Sequence, residues 1–482
     1  MGHSSPKLSR RDVLKTGAAG TLAAGTLALA VEGGAASAQD NRPPNIVYIM
    51  ADDMGFADLS CYGRTEYQTP NIDRLAAGGM RFLQAYANSA VCSATRTALI
   101  TGRYQYRLPI GLEEPLPSLS TRKIGLPPEQ PTLPSLLRKA GYGTTLIGKW
   151  HLGKLPDFGP LQSGYDHFYG FRGGAVDYFT HKANGPTTDT HDLWDNDAQV
   201  HEAGYLTSLL GQHAVSVINA YAKAQKPFFI SLHFNAPHWP WEGPGDEAES
   251  QRIRGLAQYD AGSMKTYAEM VVALDAEVGR VLAALDANGI AGNTLVVFTS
   301  DNGGERFAKT WPFSGRKTEL LEGGLRIPAI VRWPRGIPAG KTSDQTIISM
   351  DWMPTFLELA KTAPDPQFPM DGMSLVQTLA GTAPVTPRKF FWRYKNMEQQ
   401  ALRDGDWKYL KIKNNTFLFN VVDDPMERAN YKSREPARFE RMVAEYKAWN
   451  DTMLPFDPQS STGGFTGAQL SDHFGVEPPK RD

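Results

Sequence analysis

From Asn45 onward, short apolar runs alternate with longer stretches in which apolar residues recur every three or four positions. That alternation predicts an α/β fold with a large, mostly parallel central sheet flanked by helices. In open sheets of this kind, sites form beyond the carboxyl ends of the strands, so the residues that follow each run matter most. The run NIVYIMADD ends in Asp52 and Asp53, and LVVFTSDNGG ends in Asp301 and Asn302. YGTTLIGKWHLG delivers Lys149 and His151, and PFFISLHFNAPHWPW delivers His238. Each ending alone reads equally as a turn or a helix cap; four at one sheet edge would make a site. A helical stretch opens at Cys92 and closes at Gly102, and VVALDAEVGRVLAALDANG is an amphipathic helix that places Asp275 and Glu277 on its solvated face.

The pattern changes after Pro387. KFFWRY, QALRDGDWKYLKIK and TFLFNVV read as antiparallel strands joined by short polar turns, and REPARFERMVAEYKAWNDTM reads as one amphipathic helix. The organisation expected is a principal domain over residues 39–387, a smaller C-terminal antiparallel sheet with a helix over 388–454, and an arm over 455–482. The arm is rich in Gly, Ser, Pro and Asp and poor in apolar residues, a composition that favours partial disorder. Five prolines between Thr362 and Pro387 run up to the join.

The N-terminus changes the picture of where the chain works. Arg10 and Arg11 precede a mildly apolar Ala/Gly/Leu run and a small-residue exit at Ala36-Ser37-Ala38. Residues 1–38 therefore read as a twin-arginine signal peptide, which makes the twin-arginine translocase a partner and the bacterial periplasm or exterior the destination. Thr16 to Val31 is too short and too rich in Gly and Thr for a stable membrane anchor. Without residues 1–38 the chain keeps 46 basic against 49 acidic side chains. That balance argues against nucleic acid or anionic membrane as the main partner.

The polar groups after the strands share a chemistry. Three carboxylates and an amide oxygen are hard ligands, suited to Ca²⁺ or Mg²⁺ and not to zinc or copper. Lysines, histidines and an arginine around such an ion make sense when an anion sits between them, so the implied substrate carries a compact oxyanion such as sulfate or phosphate. Cys92 is one of two cysteines, and by itself reads as a small buried side chain or as half of a disulfide with Cys61. At a helix N-terminus a nucleophile and an anionic substrate are both favoured, and Arg96 lies one turn on. A thiol phosphatase needs a wider spacing between cysteine and arginine, and position 98 is Ala.

CSATRTALITGR resembles the cysteine motif of type I sulfatases, members of the alkaline phosphatase superfamily whose cysteine is oxidised to Cα-formylglycine. The resemblance continues in order through NIVYIMADDMGFADLSCYG, TPNIDRLAAGGMRF, GKWHLG, APHWP, TSDNGG and GRKTELLEGGLRIPAIVRWP, and covers nearly the whole chain after residue 38. It implies that 39–387 is the catalytic sulfatase domain. It further implies that Asp52, Asp53, Asp301, Asn302 and the modified Cys92 ligate calcium, with magnesium the other candidate. Arg96 matches the residue that holds the formylglycine, Lys149 and His151 the pair beside its hydrate, and His238 and Lys317 two sulfate-contacting residues. His181 is placed in the pocket wall by composition only, and the aromatic side chains Tyr178, Phe179, Trp239 and Trp241 read either as packing or as a substrate wall. The motif departs from the family's usual proline at its third residue, here Ala94, a variant that occurs in related bacterial sequences.

The resemblance also implies a mechanism and partners. The hydrated aldehyde offers one hydroxyl to attack sulfur, with Asp301 as proton acceptor, and a second whose deprotonation by His151 expels sulfate. Lys317 or His238 protonates the departing alcohol. A formylglycine-generating enzyme is then a maturation partner, and the substrate is a small-molecule or carbohydrate sulfate ester. Two readings stay open: a phosphate or phosphonate monoester hydrolase of the same superfold, and a non-catalytic protein that binds sulfated glycans.

Overall fold

The structure, a computed structural model, describes residues 42–118, 122–183, 190–253, 261–473 and 475–476. The proposed signal peptide lies outside the described residues. Four strands carry the site: β1 (Asn45–Ala51), β2 (Gly143–Lys149), β3 (Phe228–His233) and β4 (Thr294–Ser300). Their residues are apolar in continuous runs because helices cover both faces of the sheet. They are neighbours in the order β4-β1-β3-β2 and all parallel, with Met50 beside His233, Ala51 beside Ser300 and Gly148 beside His233. This register brings the carboxyl ends of all four to one edge. A fifth parallel strand, His167–Phe171, lies against β2. The full sheet has ten strands and is mixed, because Ala329–Arg332 runs antiparallel to β4 and Trp194–Asp195 antiparallel to His167–Phe171. Such short flanking strands need no crossover helix, so they escape the parallel rule that governs the centre.

Among the helices, α1 (Pro70–Ala77), α2 (Cys92–Thr101), α3 (Leu206–Ala224) and α4 (Met264–Ala287) matter here. Every residue of α2 is buried, and Gly102 closes it in the left-handed conformation that a residue with a Cβ resists. Cys92 and Cys61 are both free, so the disulfide is not formed. The solvated face expected for Asp275 and Glu277 is wrong: both are buried. Asp275 accepts hydrogen bonds from the Asn71 and Ile72 N–H groups, 3.1 and 2.8 Å away, and so caps the first turn of α1. Glu277 packs against Gly211 of α3 and pairs with Arg280 at 3.4 Å. Periodicity within one helix marks its polar stripe but not the second and third helices that cover it.

The C-terminal antiparallel sheet comprises β5 (Lys389–Tyr394), β6 (Gln399–Asp404), β7 (Trp407–Ile412) and β8 (Asn415–Asn420), with α5 (Pro436–Asn450) packed on it. A buried charge network joins it to the large sheet. Lys408 of β7 donates to Glu322 at 3.0 Å and lies 2.8 Å from Glu427, while Arg326 and Tyr86 each reach Glu322 at 2.6 Å. The described residues after Pro455 are tied to the rest of the chain in spite of their composition. Their few apolar residues are replaced as anchors by ion pairs and backbone hydrogen bonds, among them Arg122–Asp457 at 2.6 Å and the Glu114 N–H to Ser461 carbonyl at 3.1 Å. Among the described residues no helix is long and apolar enough to cross a membrane.

Removing one partner from a buried ion pair strands the other charge. Lys408→Met is therefore expected to destabilise the protein by about 3–5 kcal/mol, measured as a lower midpoint in urea with an unchanged slope.

Candidate active site

The residues beyond the four strand ends converge. Asp52 and Asp53 follow β1 directly; the Asp52 N–H donates to the Ala236 carbonyl at 3.1 Å and the Asp53 N–H to Asp301 Oδ1 at 3.2 Å. Asp301 and Asn302 follow β4, and the Asp301 N–H is held by the Ala51 carbonyl at 3.2 Å. Lys149 is the last residue of β2, with His151 two residues on, and His238 comes from the loop after β3. Lys317 lies on a long loop pinned by two backbone hydrogen bonds, Lys317 N–H to Gly304 O at 3.0 Å and Thr318 N–H to Ala90 O at 2.9 Å. Cys92 and Arg96 come from α2.

Three carboxylates and three cations meet in this buried cluster. Lys149 Nζ donates to Asp52 Oδ2 at 2.6 Å, Lys317 Nζ to Asp53 Oδ2 at 2.5 Å, and the Arg96 guanidinium to Asp301 Oδ2 at 2.8 and 3.1 Å. Asn302 Nδ2 donates to Asp53 Oδ1 at 2.7 Å, which ties the amide to the cluster. Ligand atoms of Asp52, Cys92 and Asp301 lie within 4.8 Å of one another, as do those of Asp52, Asp53 and His238. Two oxygens, Asp52 Oδ1 and Asn302 Oδ1, are buried without a hydrogen-bond partner. A carboxylate oxygen and an amide oxygen, both buried and both left without a partner, are what a hard cation needs and what a protein otherwise avoids. The donor set fits a hard divalent cation.

The electrostatics agree. Burial and then the neighbouring Asp301 push the Asp52 carboxyl well above the carboxylate range. Burial acts the same way on Asp53, but Lys317 and Lys149 overcome it and hold that carboxyl low. Lys317 is disfavoured by burial, yet Asp53 and Glu305 keep it firmly protonated. Burial leaves His151 and His238 neutral, with Lys149 adding at the first and Lys317 and Lys149 at the second. Burial also raises the Cys92 thiol, the reverse of what a thiolate nucleophile requires.

Hydrogen bonds assign the histidine faces. His151 Nε2 lies 2.7 Å from the Leu116 carbonyl, so it carries the proton, and the Nδ1 lone pair faces Cys92 Sγ at 3.4 Å. His238 Nδ1 lies 2.6 Å from the Trp239 carbonyl, which leaves Nε2 toward Asp53 at 3.4 Å. A cavity of about 450 Å³ opens onto Cys92, His151, His238 and Lys317.

His181 does not join the cluster. Its Nε2 bonds to the Gly204 carbonyl at 3.1 Å and its ring meets His191 edge-on, so it packs its own segment and lines none of this cavity. Of the four aromatic candidates only Trp239 lines the cavity; the Tyr178 hydroxyl is spent on the Asn235 and His238 carbonyls. Two contributors escaped the sequence. Glu305, 3.5 Å from Lys317 Nζ, is pushed up to about 8 by burial; its only signal was its place just past Asp301-Asn302. His233, 3.4 Å from Arg96 Nη1, is the last residue of the apolar strand β3 and gave none.

The Sulfatase family profile matches residues 44–362. The chain belongs to the sulfatase family. A second profile, N-sulphoglucosamine sulphohydrolase C-terminal, matches residues 315–447 of this sulfatase. It is 34% identical to dog N-acetylgalactosamine-6-sulfatase over 386 residues, covering 76% of this chain and 71% of that one. It is 29% identical to mouse arylsulfatase J, covering 90% and 83% of the two chains. The crystal structure of Ps i-CgsB in complex with k-i-k-neocarrahexaose superposes with a TM-score of 0.78 at 31% identity, covering 90% of this chain and 98% of that one. The sulfatase is thus a sulfuric ester hydrolase with the alkaline-phosphatase-like fold.

The imidazole of His151 needs a glycine beside it. A Cβ at Gly174 would stand 2.8 Å from both His151 Cε1 and Nε2, and the bond to Leu116 prevents the ring from yielding. Gly174→Ala is expected to lower kcat by roughly 10²-fold with little change in Tm, read by steady-state kinetics beside a melting curve.

Proposed function

We propose that this sulfatase hydrolyses sulfate monoesters with residue 92, oxidised from Cys92 to Cα-formylglycine, as nucleophile, beside a Ca²⁺ held by Asp52, Asp53, Asp301 and Asn302. The observation that carries the reading is the pair of partnerless ligand oxygens, Asp52 Oδ1 and Asn302 Oδ1, in one cluster with a Cys92 whose thiol is not activated. Hydrated formylglycine would supply one hydroxyl to attack sulfur and a second whose deprotonation releases sulfate. The cation would lower the pKa of the attacking hydroxyl and screen the sulfate oxygens. Irregular oxygen donors suit calcium better than magnesium, which demands near-octahedral geometry.

This chain's own residues do the rest. His151, neutral and with Nδ1 toward residue 92, takes the proton in the release step. Lys317 is protonated and His238 neutral, so Lys317 is the better donor to the departing alcohol. Arg96 fixes Asp301 in place. Charge counting favours sulfate over phosphate. A divalent ion bound at Asp52 would keep that carboxylate ionised, and with Glu305 neutral the three aspartates balance Lys149, Lys317 and Arg96; the double positive charge of the ion would then be cancelled by one ionised hydroxyl and one singly charged sulfate ester. A phosphate monoester dianion would overshoot. Carbohydrate sulfates are within the proposed range, a reading supported by the oligosaccharide in the Ps i-CgsB complex. Export to the periplasm or exterior through the twin-arginine translocase, after action of a formylglycine-generating enzyme, belongs to the same proposal and rests on Arg10-Arg11 and the run that follows.

Mass spectrometry of the tryptic peptide from Phe82 to Arg96 is expected to find an aldehyde at position 92 in active enzyme; a peptide that is wholly thiol would overturn the mechanism. Cys92→Ala is expected to lower kcat by roughly 10⁴-fold or more, and aryl sulfate to be cleaved far faster than aryl phosphate. Calcium at 100 times its dissociation constant is expected to stabilise the folded protein by about 2.7 kcal/mol, as a rise in Tm that Asp52→Ala and Asn302→Ala together abolish.

A further inference from the structure

The cavity above Cys92 is closed on one side by the end of the chain. Gly463, Gly464, Phe465 and Gln469 line it, although no feature of their sequence marks them as part of a site. This strap is fastened on both sides of the stretch that meets the cavity. Before it, Asp457 pairs with Arg122 at 2.6 Å, and Ser461 N and Oγ both donate to Glu113 Oε2 at 2.9 Å. Within it, Gly463 N–H donates to the Glu114 carbonyl at 2.5 Å, and the Tyr394 hydroxyl donates to the Gly463 carbonyl at 3.1 Å. After it, His473 lies 2.6 Å from Glu319 and Asp472 pairs with Arg316. Arg316 and Glu319 belong to the loop that carries Lys317, so the strap is tied to the catalytic loop itself.

The cavity's charges are segregated. Lys317, His151 and His238 sit at its floor with Cys92. Above them, among the described residues that line the cavity, there is no Lys, Arg, Asp or Glu: Pro115, Leu116, Ala175, Trp239 and Phe465 give an apolar surface, and Ser118 and Gln469 give polar contacts. We infer that the strap is the specificity wall of the sulfatase, with Phe465 and Trp239 receiving the leaving alcohol, and that its substrates carry a single sulfate on an uncharged aromatic or sugar ring with an apolar face. The inference rests on the reading of the floor as the sulfate site. A ring entering here exchanges water for dispersion contact with two aromatic side chains, which stabilises it. A second sulfate or a carboxylate on the same ring would lose its hydration without meeting a cation, which costs affinity. The wall is in place before substrate arrives, so its ordering is not charged to binding.

The test uses the full-length enzyme with 4-nitrophenyl sulfate, methyl sulfate and 4-carboxyphenyl sulfate. Phe465→Ala is expected to lower kcat/KM for 4-nitrophenyl sulfate about tenfold through KM, and to change that for methyl sulfate, which lacks a ring, much less. Phe465→Tyr retains the wild-type value, which separates loss of the aromatic wall from general damage, and a melting curve on each variant checks the fold. Wild-type enzyme is expected to prefer 4-nitrophenyl over 4-carboxyphenyl sulfate at least tenfold after correction for leaving-group pKa. An unchanged KM in Phe465→Ala, an equal loss on both neutral esters, or no discrimination against the carboxylate would overturn the inference while leaving sulfatase activity intact. If wild-type enzyme cleaves none of the three esters, the reading of the floor falls, and the inference with it.

Discussion

Burial of like charges at one point is the constraint on which the rest of this structure depends. Asp52, Asp53 and Asp301 lie within a few ångströms of one another, all out of water. Carboxylates so placed cannot all ionise unless cations meet them, and the protein supplies Lys149, Lys317 and Arg96 from three different elements. Each cation must be held rigidly by its own backbone for the compensation to work. The parallel register of β1 to β4 provides this for four of the six groups, the fully buried α2 for Arg96, and the twice-pinned loop for Lys317. Fold and site are therefore a single problem in this chain: the sheet edge is where charge accumulates, and the helices and loops around it exist in the places that neutralise it.

Much of this was legible in the sequence because the signals are local. An apolar run followed at once by Asp-Asp or Asp-Asn names both the strand and the edge where its polar end will lie. Cys92 and Arg96 share one helix, and Gly102 marks where it stops. What stayed hidden depends on contacts between distant segments. Asp275 looks like a surface carboxylate until α1 is laid across it and its oxygens accept the Asn71 and Ile72 N–H groups. His181 sat in a histidine-containing stretch near the pocket in sequence, but its hydrogen bond to Gly204 takes it elsewhere. The strap is the extreme case, since a Gly- and Ser-rich composition says nothing about an ion pair made with Arg122, more than three hundred positions earlier.

The charge network around Glu322 explains why a small antiparallel sheet is attached to a large parallel one. Glu322 lies on the chain just after the Lys317 loop, and its partners Lys408 and Glu427 belong to the C-terminal sheet region. The loop that carries Lys317 is thus gripped from below by buried charges and from the side by the strap, through Arg316 and Glu319. A lysine on a long loop would ordinarily lose much of its precision to backbone motion. Here the loop is as firmly placed as a strand end.

The strap has a temporal consequence as well. Cys92 lies deep in the fold, and Ser461 emerges from the ribosome 369 residues after it. At ordinary rates of synthesis that interval is roughly 20–70 s, during which residue 92 is still without its roof. For as long as that interval lasts, residue 92 stands open on a side that the final segment later closes.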